Sequence, residues 1–131
     1  MKKVIILSLL ISIGCTNKQK ELEYLICKDS IQYWNYEWPR DRAEYYGFTF
    51  SFDKQGNVLK YSFNKEKNER RLFTDIQNDN KWSITKDSIL SFMGGNKKIV
   101  KITPDTIYAI NLKTKEKVSF IRVKGNLNIK K

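Results

Sequence analysis

Catalysis needs groups that titrate, ligate or attack, and this chain holds few of them in useful company. It contains no histidine. That removes Ser-His-Asp and Cys-His catalysis and the commonest metal ligand. Cys15 and Cys27 are too few for a zinc site. Glu37, Asp41 and Glu44 lie close in sequence, but Arg40 and Arg42 are interleaved with them. That mixture reads as surface ion pairing. A glycosidase needs two facing carboxyls roughly 5–10 Å apart. Asp75 and Asp79 supply too few oxygens for a calcium loop. Gly94-Gly95 lacks the Lys-Ser/Thr of a phosphate loop and reads as a hairpin turn. The expectation is a protein that is not an enzyme and takes no cofactor and no metal.

What stands out instead is recognition chemistry. Tyr33, Trp34, Tyr36, Trp38, Tyr45 and Tyr46 share one short segment with Arg40 and Arg42. Aromatic rings with arginines suit a protein-recognition surface. They equally suit a pocket mouth that holds an apolar ligand by a polar end, or a strand whose rings fill a core. Trp38 and Tyr45 are the residues to test. The basic run Lys65, Lys67, Arg70 and Arg71, mixed with Glu66 and Glu69, reads as a solvated hairpin loop. Cys27 follows Leu25-Ile26, and that apolar setting points to a buried, inert thiol.

The elements that would position these residues follow from periodicity. Leu22, Leu25 and Ile26 have helical spacing, whereas Leu22, Tyr24 and Ile26 have strand spacing, so this segment stays open. Beyond it the period is two. Phe48, Phe50 and Phe52 alternate with Thr49 and Ser51, and after an Asp53–Asn57 turn Leu59, Tyr61 and Phe63 alternate with Lys60 and Ser62. A hairpin with one aromatic-rich face and one polar face is expected. Turn signals then recur about every 8–10 residues, the rhythm of a sandwich or barrel. No long helical pattern intervenes. The expected fold is all-β: an antiparallel meander of eight or nine strands, closed or nearly closed into a barrel so that few edges remain. Gly125–Lys131 reads as a polar tail.

The formal net charge is +11, which favours anionic partners: lipid head groups, polyanionic glycans or nucleic acid. The N-terminus argues against nucleic acid. Met1-Lys2-Lys3 precedes an apolar run from Val4 to Ile13. Ten helical residues rise about 15 Å, half of a bilayer core, so the run reads as a signal segment. Ile11-Ser12-Ile13-Gly14-Cys15 resembles the lipobox of bacterial lipoproteins. The resemblance implies cleavage before Cys15, a diacylglyceryl group on its thiol, and anchoring in the cell envelope. Two or more acyl chains hold firmly where one does not. The expected organisation is a signal peptide (1–14), lipidated Cys15 and a tether (15–21), and one β-barrel domain (22–131). The tether Thr16–Glu21 is basic, not acidic, which by the same resemblance favours the periplasmic face of a membrane.

From Phe48 to Val123 the chain resembles small lipocalin-like lipoproteins of Gram-negative bacteria. The resemblance rests on Phe48–Val58, Trp82–Leu90, Lys98–Ile107 and Val118–Val123. It implies a membrane-anchored, non-enzymatic barrel that binds a small apolar or amphipathic ligand. An envelope protein that binds another protein, as an assembly factor or an inhibitor, is the alternative. In that family a tryptophan of the first strand packs under a basic residue late in the barrel. Here those positions match Trp34 and Arg122, with Trp38 as the other candidate partner. Trp34, Trp38, Tyr45 and Arg122 are therefore the expected ligand- or partner-binding residues, and Cys15 the lipid attachment site.

Overall fold

A computed structural model describes residues 18–38, 46–73, 80–125 and 127–130. The expected signal segment, Cys15, Tyr45 and the acids Asp41, Glu44, Asp75 and Asp79 lie outside the described residues.

Residues 18–27 form a helix, α1. Its buried positions are Leu22, Ile26 and Cys27, a single apolar stripe. Of the two spacings open for this segment, the helical one forms, because that stripe packs on the sheet core. Lys28 ends the helix at φ 55°, and its amide bonds the Tyr24 carbonyl at 2.7 Å. This left-handed termination turns the chain into the first strand.

Ten strands follow: β1 (Ile31–Glu37), β2 (Tyr46–Asp53), β3 (Val58–Asn64), β4 (Glu69–Leu72), β5 (Trp82–Ile84), β6 (Ile89–Phe92), β7 (Gly95–Ile102), β8 (Thr106–Asn111), β9 (Lys117–Arg122) and β10 (Asn128–Lys130). They make one sheet in the order β10-β4-β3-β2-β1-β9-β8-β7-β6-β5. The sheet curls into a half-barrel. β1 sits at its centre, between β2 and β9. β4 and β5 are successive in the chain but stand near opposite edges. In backbone bonding among the described residues, the β5 edge meets the β2–β3 turn. There Asn57 and Lys81 form an isolated bridge, and the Trp82 amide bonds the Gly56 carbonyl at 2.9 Å.

Two expectations need correcting. The first is the polar tail: β10 lies parallel to β4, with Ile129 opposite Arg70. The outer edge of β4 presents unpaired backbone groups, and the chain end satisfies them. The sheet is thus mixed, with ten strands in place of eight or nine. The second concerns the β2–β3 hairpin. Its register places Phe48 opposite Ser62, Phe50 opposite Lys60 and Phe52 opposite Val58. Asp53 sets that register: its carboxylate accepts the amides of Gln55 at 2.9 Å and Asn57 at 2.8 Å. Gly56 takes φ 86° in the same turn. Since side chains alternate, this pairing puts the phenylalanines on one face and Leu59, Tyr61 and Phe63 on the other. Both faces of the hairpin are aromatic.

The concave face holds the core. Phe50, Phe52, Phe92 and Phe120 meet edge-on or tilted, with centroids 4.9 to 6.5 Å apart. Trp34, Val58, Trp82, Ile84, Leu90 and Ile107 pack around them, and α1 closes one end. The inner space is filled by rings through this region.

Candidate functional site

The half-barrel has two chemically different ends. At the end closed by α1, Trp34 on β1 lies directly opposite Arg122 on β9. The guanidinium sits over the indole with 4.5 Å to the ring centroid. Arg122 Nε donates to the Pro104 carbonyl at 2.6 Å, one terminal nitrogen to Gln32 Oε1 at 2.8 Å, and the other to the Leu25 carbonyl at 3.0 Å. Trp34 is fully buried, and its Nε1 donates to the Ile26 carbonyl at 2.9 Å. The pair therefore clasps α1 onto the central strands. Arg122 lies over Trp34 and not over Trp38, and neither Trp34 nor Arg122 reaches the far end of the half-barrel. Cys27 is buried beside them, its thiol donating to the Glu23 carbonyl at 3.2 Å. Burial and then Glu23 push that thiol up in pKa, away from the reactive thiolate.

At the opposite end β1 and β2 carry an aromatic shelf. Trp38 stacks on Tyr36 at 5.1 Å and on Phe48 at 5.8 Å, and Phe48 meets Phe73 at 6.1 Å. Trp38 is half-buried. A groove of about 240 Å³ runs beside it, lined by Tyr36, Trp38, Asn111, Thr114, Glu116 and Val118. Burial, and then Glu116, raise the Tyr36 hydroxyl above its usual value. Glu37 of the expected acidic trio is exposed on the convex side of β1, opposite Ser119.

Two lysines that sequence reasoning did not single out border this shelf. Lys60 on β3 places its ammonium 4.1 Å from the Phe48 centroid and 4.7 Å from that of Phe73. Lys97 on β7 is only 8% exposed. Its ammonium lies 4.7 Å from the Phe92 centroid and 5.5 Å from that of Tyr36. Burial holds its pKa below the usual lysine value. Among the described residues no carboxylate pairs with it. The signal for Lys97 was present in the pleat: it stands two residues before Ile99, so the two share a face, and both point inward.

A third cation reverses an expectation. Arg70, read as part of a solvated loop, is 1% exposed on the convex face. Its Nε donates to Thr49 Oγ1 at 2.9 Å, and its terminal nitrogens donate to Asn35 Oδ1 at 3.0 Å and Asn68 Oδ1 at 3.2 Å. The guanidinium lies 4.0 Å above Phe63. The alternation of β4 turns Arg70 onto the face that the hairpin register makes aromatic. Arg71 points the other way and is exposed, as the loop reading expects.

No protein-family model, curated protein or solved structure matches the chain. Among the described residues no group of three or more Asp, Glu, Cys or His side chains could hold a metal ion, and no helix is long and apolar enough to cross a membrane.

Proposed function

We propose that the protein is a lipid-anchored, lipocalin-like envelope lipoprotein, tethered through Cys15 on the periplasmic face of a membrane. In this reading it catalyses nothing and holds a small amphipathic ligand at the open end of a barrel-like fold. The observation that carries the reading is the shelf of Tyr36, Trp38, Phe48 and Phe73 with Lys60 and Lys97 beside it. Stacked rings offer apolar area at low entropic cost, and the Lys97 ammonium offers a polar end. The phenylalanine core fills the middle of the fold, so the ligand is held at the mouth, not in a deep cavity. The groove volume of about 240 Å³ falls below the roughly 300–1,000 Å³ of sites that engulf drug-sized ligands. A short or partly exposed ligand fits it. The central β1–β9 junction, with its Trp34–Arg122 contact, supports the lipocalin-like reading of the fold.

Native mass spectrometry of the protein, purified gently from its own envelope, tests this. A discrete added mass in the small-molecule range is the expected result. A bare mass, together with a co-purifying envelope protein that Trp38→Ala releases, would replace the ligand reading with the protein-binding one.

A further inference from the structure

Lys97 asks for an explanation that the fold alone does not supply. A lysine ammonium loses strong hydration when buried, and a buried charge is ordinarily paired or hydrogen-bonded. Lys97 is more than nine-tenths buried, and among the described residues its ammonium has ring faces, those of Phe92 and Tyr36, and no carboxylate partner. Its amine is tucked under the β6–β7 turn: a Cβ added at Gly95 would lie 3.3 Å from Nζ. A ring face attracts a cation, but less than a carboxylate or phosphate oxygen at hydrogen-bond distance does. The position within the fold also matters. Lys97 pairs across the sheet with Asn111, which lines the groove beside Tyr36 and Trp38. The unpaired charge and the aromatic shelf thus share one mouth.

We propose that Lys97 is the anion-binding residue of this mouth, and that the ligand is a short single-chain amphiphile with an anionic oxyacid head. The head pairs with the Lys97 ammonium beneath the Gly94-Gly95 turn. The chain lies along Tyr36, Trp38 and Phe48 toward Phe73, where Lys60 borders the far side. This inference rests on the ligand-binding reading above and names the chemistry of that same site.

The test compares three probes with one chain length: octanoate, octyl phosphate and octanol. Binding to the full chain, held in zwitterionic nanodiscs, is measured by calorimetry against protein-free nanodiscs. The two anions are expected to bind about tenfold or more tighter than octanol. Lys97→Met should bring them down to the octanol level, and Lys97→Arg should retain most of the preference. Whichever anion binds tighter distinguishes a fatty-acid source from a phospholipid one. Lys97→Met replaces a buried charge by an apolar chain of similar length, and a melting curve no lower than the wild type confirms its fold. Equal binding of all three probes, unchanged in Lys97→Met, would overturn the anion assignment and leave the amphiphile reading standing. Binding of none would overturn both.

Discussion

Lys97 carries a stability cost that can be measured without any ligand. Its folded-state pKa is lowered by burial, so between that value and the usual 10.5 the unfolded chain binds more protons than the folded one. Stability must then rise with pH through this window, and the full penalty applies below it. Lys97→Met should raise the unfolding free energy at neutral pH by roughly 1 kcal/mol or more, read from urea denaturation, and should flatten the alkaline rise. Tyr33 sets the opposing limb. Its hydroxyl, partly desolvated and facing Tyr61, is pushed up to about 12 from 10.0. The folded state keeps that proton longer, so the contribution is full below pH 10.0 and is lost as pH climbs toward 12. A stability maximum near the boundary of the two windows is expected, and Tyr33→Phe should extend the high side. Arg122 ties the α1 end together through its hydrogen bonds. It serves Pro104, Gln32 and Leu25 at once. Arg122→Ala should destabilise by roughly 2 kcal/mol or more, and Arg122→Lys should recover little, because an ammonium cannot span three acceptors in one plane.

At the scale of elements, α1 is held by its stripe and by the Trp34–Arg122 clasp. Ile26, fully buried, is the point of greatest leverage. Ile26→Ala should cost roughly 2–5 kcal/mol in a denaturant titration and should release amide protection in residues 18–27 before that of β1. β10, exposed along its length, should be dispensable: removing residues 128–130 should cost less than about 1 kcal/mol. The strands themselves were legible, because alternation at Phe48–Phe52, Ile107–Ala109 and Val118–Phe120 survives folding unchanged. The expected meeting of Trp34 with Arg122 forms on the adjacent strands β1 and β9. Four things were not legible. Six residues at Leu22–Cys27 carry both periods, and only the packing against Trp34 decides between them. The β2–β3 register depends on how Asp53 folds the turn, and a shift of one residue exchanges the faces. Lys97 sits in Asn96-Lys97-Lys98, which reads as polar loop; its inward direction needs the strand to extend back to Gly95. Arg70 escaped for the same reason, since its partners Asn35, Thr49 and Phe63 come from three other strands.

For the molecule as a whole, β1–β4 and β5–β9 lie on either side of a common centre, and β10 crosses back to the β4 edge. Among the described residues two ladders join the early strands to the late ones, β10 with β4 at the edge and, at the centre, β1 with β9. The central ladder brings Trp34 against Arg122 and Glu37 against Ser119. Those contacts span most of the chain, and such topologies fold slowly because loop closure precedes any reward. The consequence falls on biogenesis. As the polypeptide emerges N-terminus first, β1 through β3 can pair at once, but the face bearing Trp34, Phe50 and Phe52 stays uncovered until Phe120 and its neighbours arrive. A nascent chain with bare rings and an unfilled central edge is prone to self-association, so this fold has reason to depend on a holding chaperone until its ninth strand is delivered.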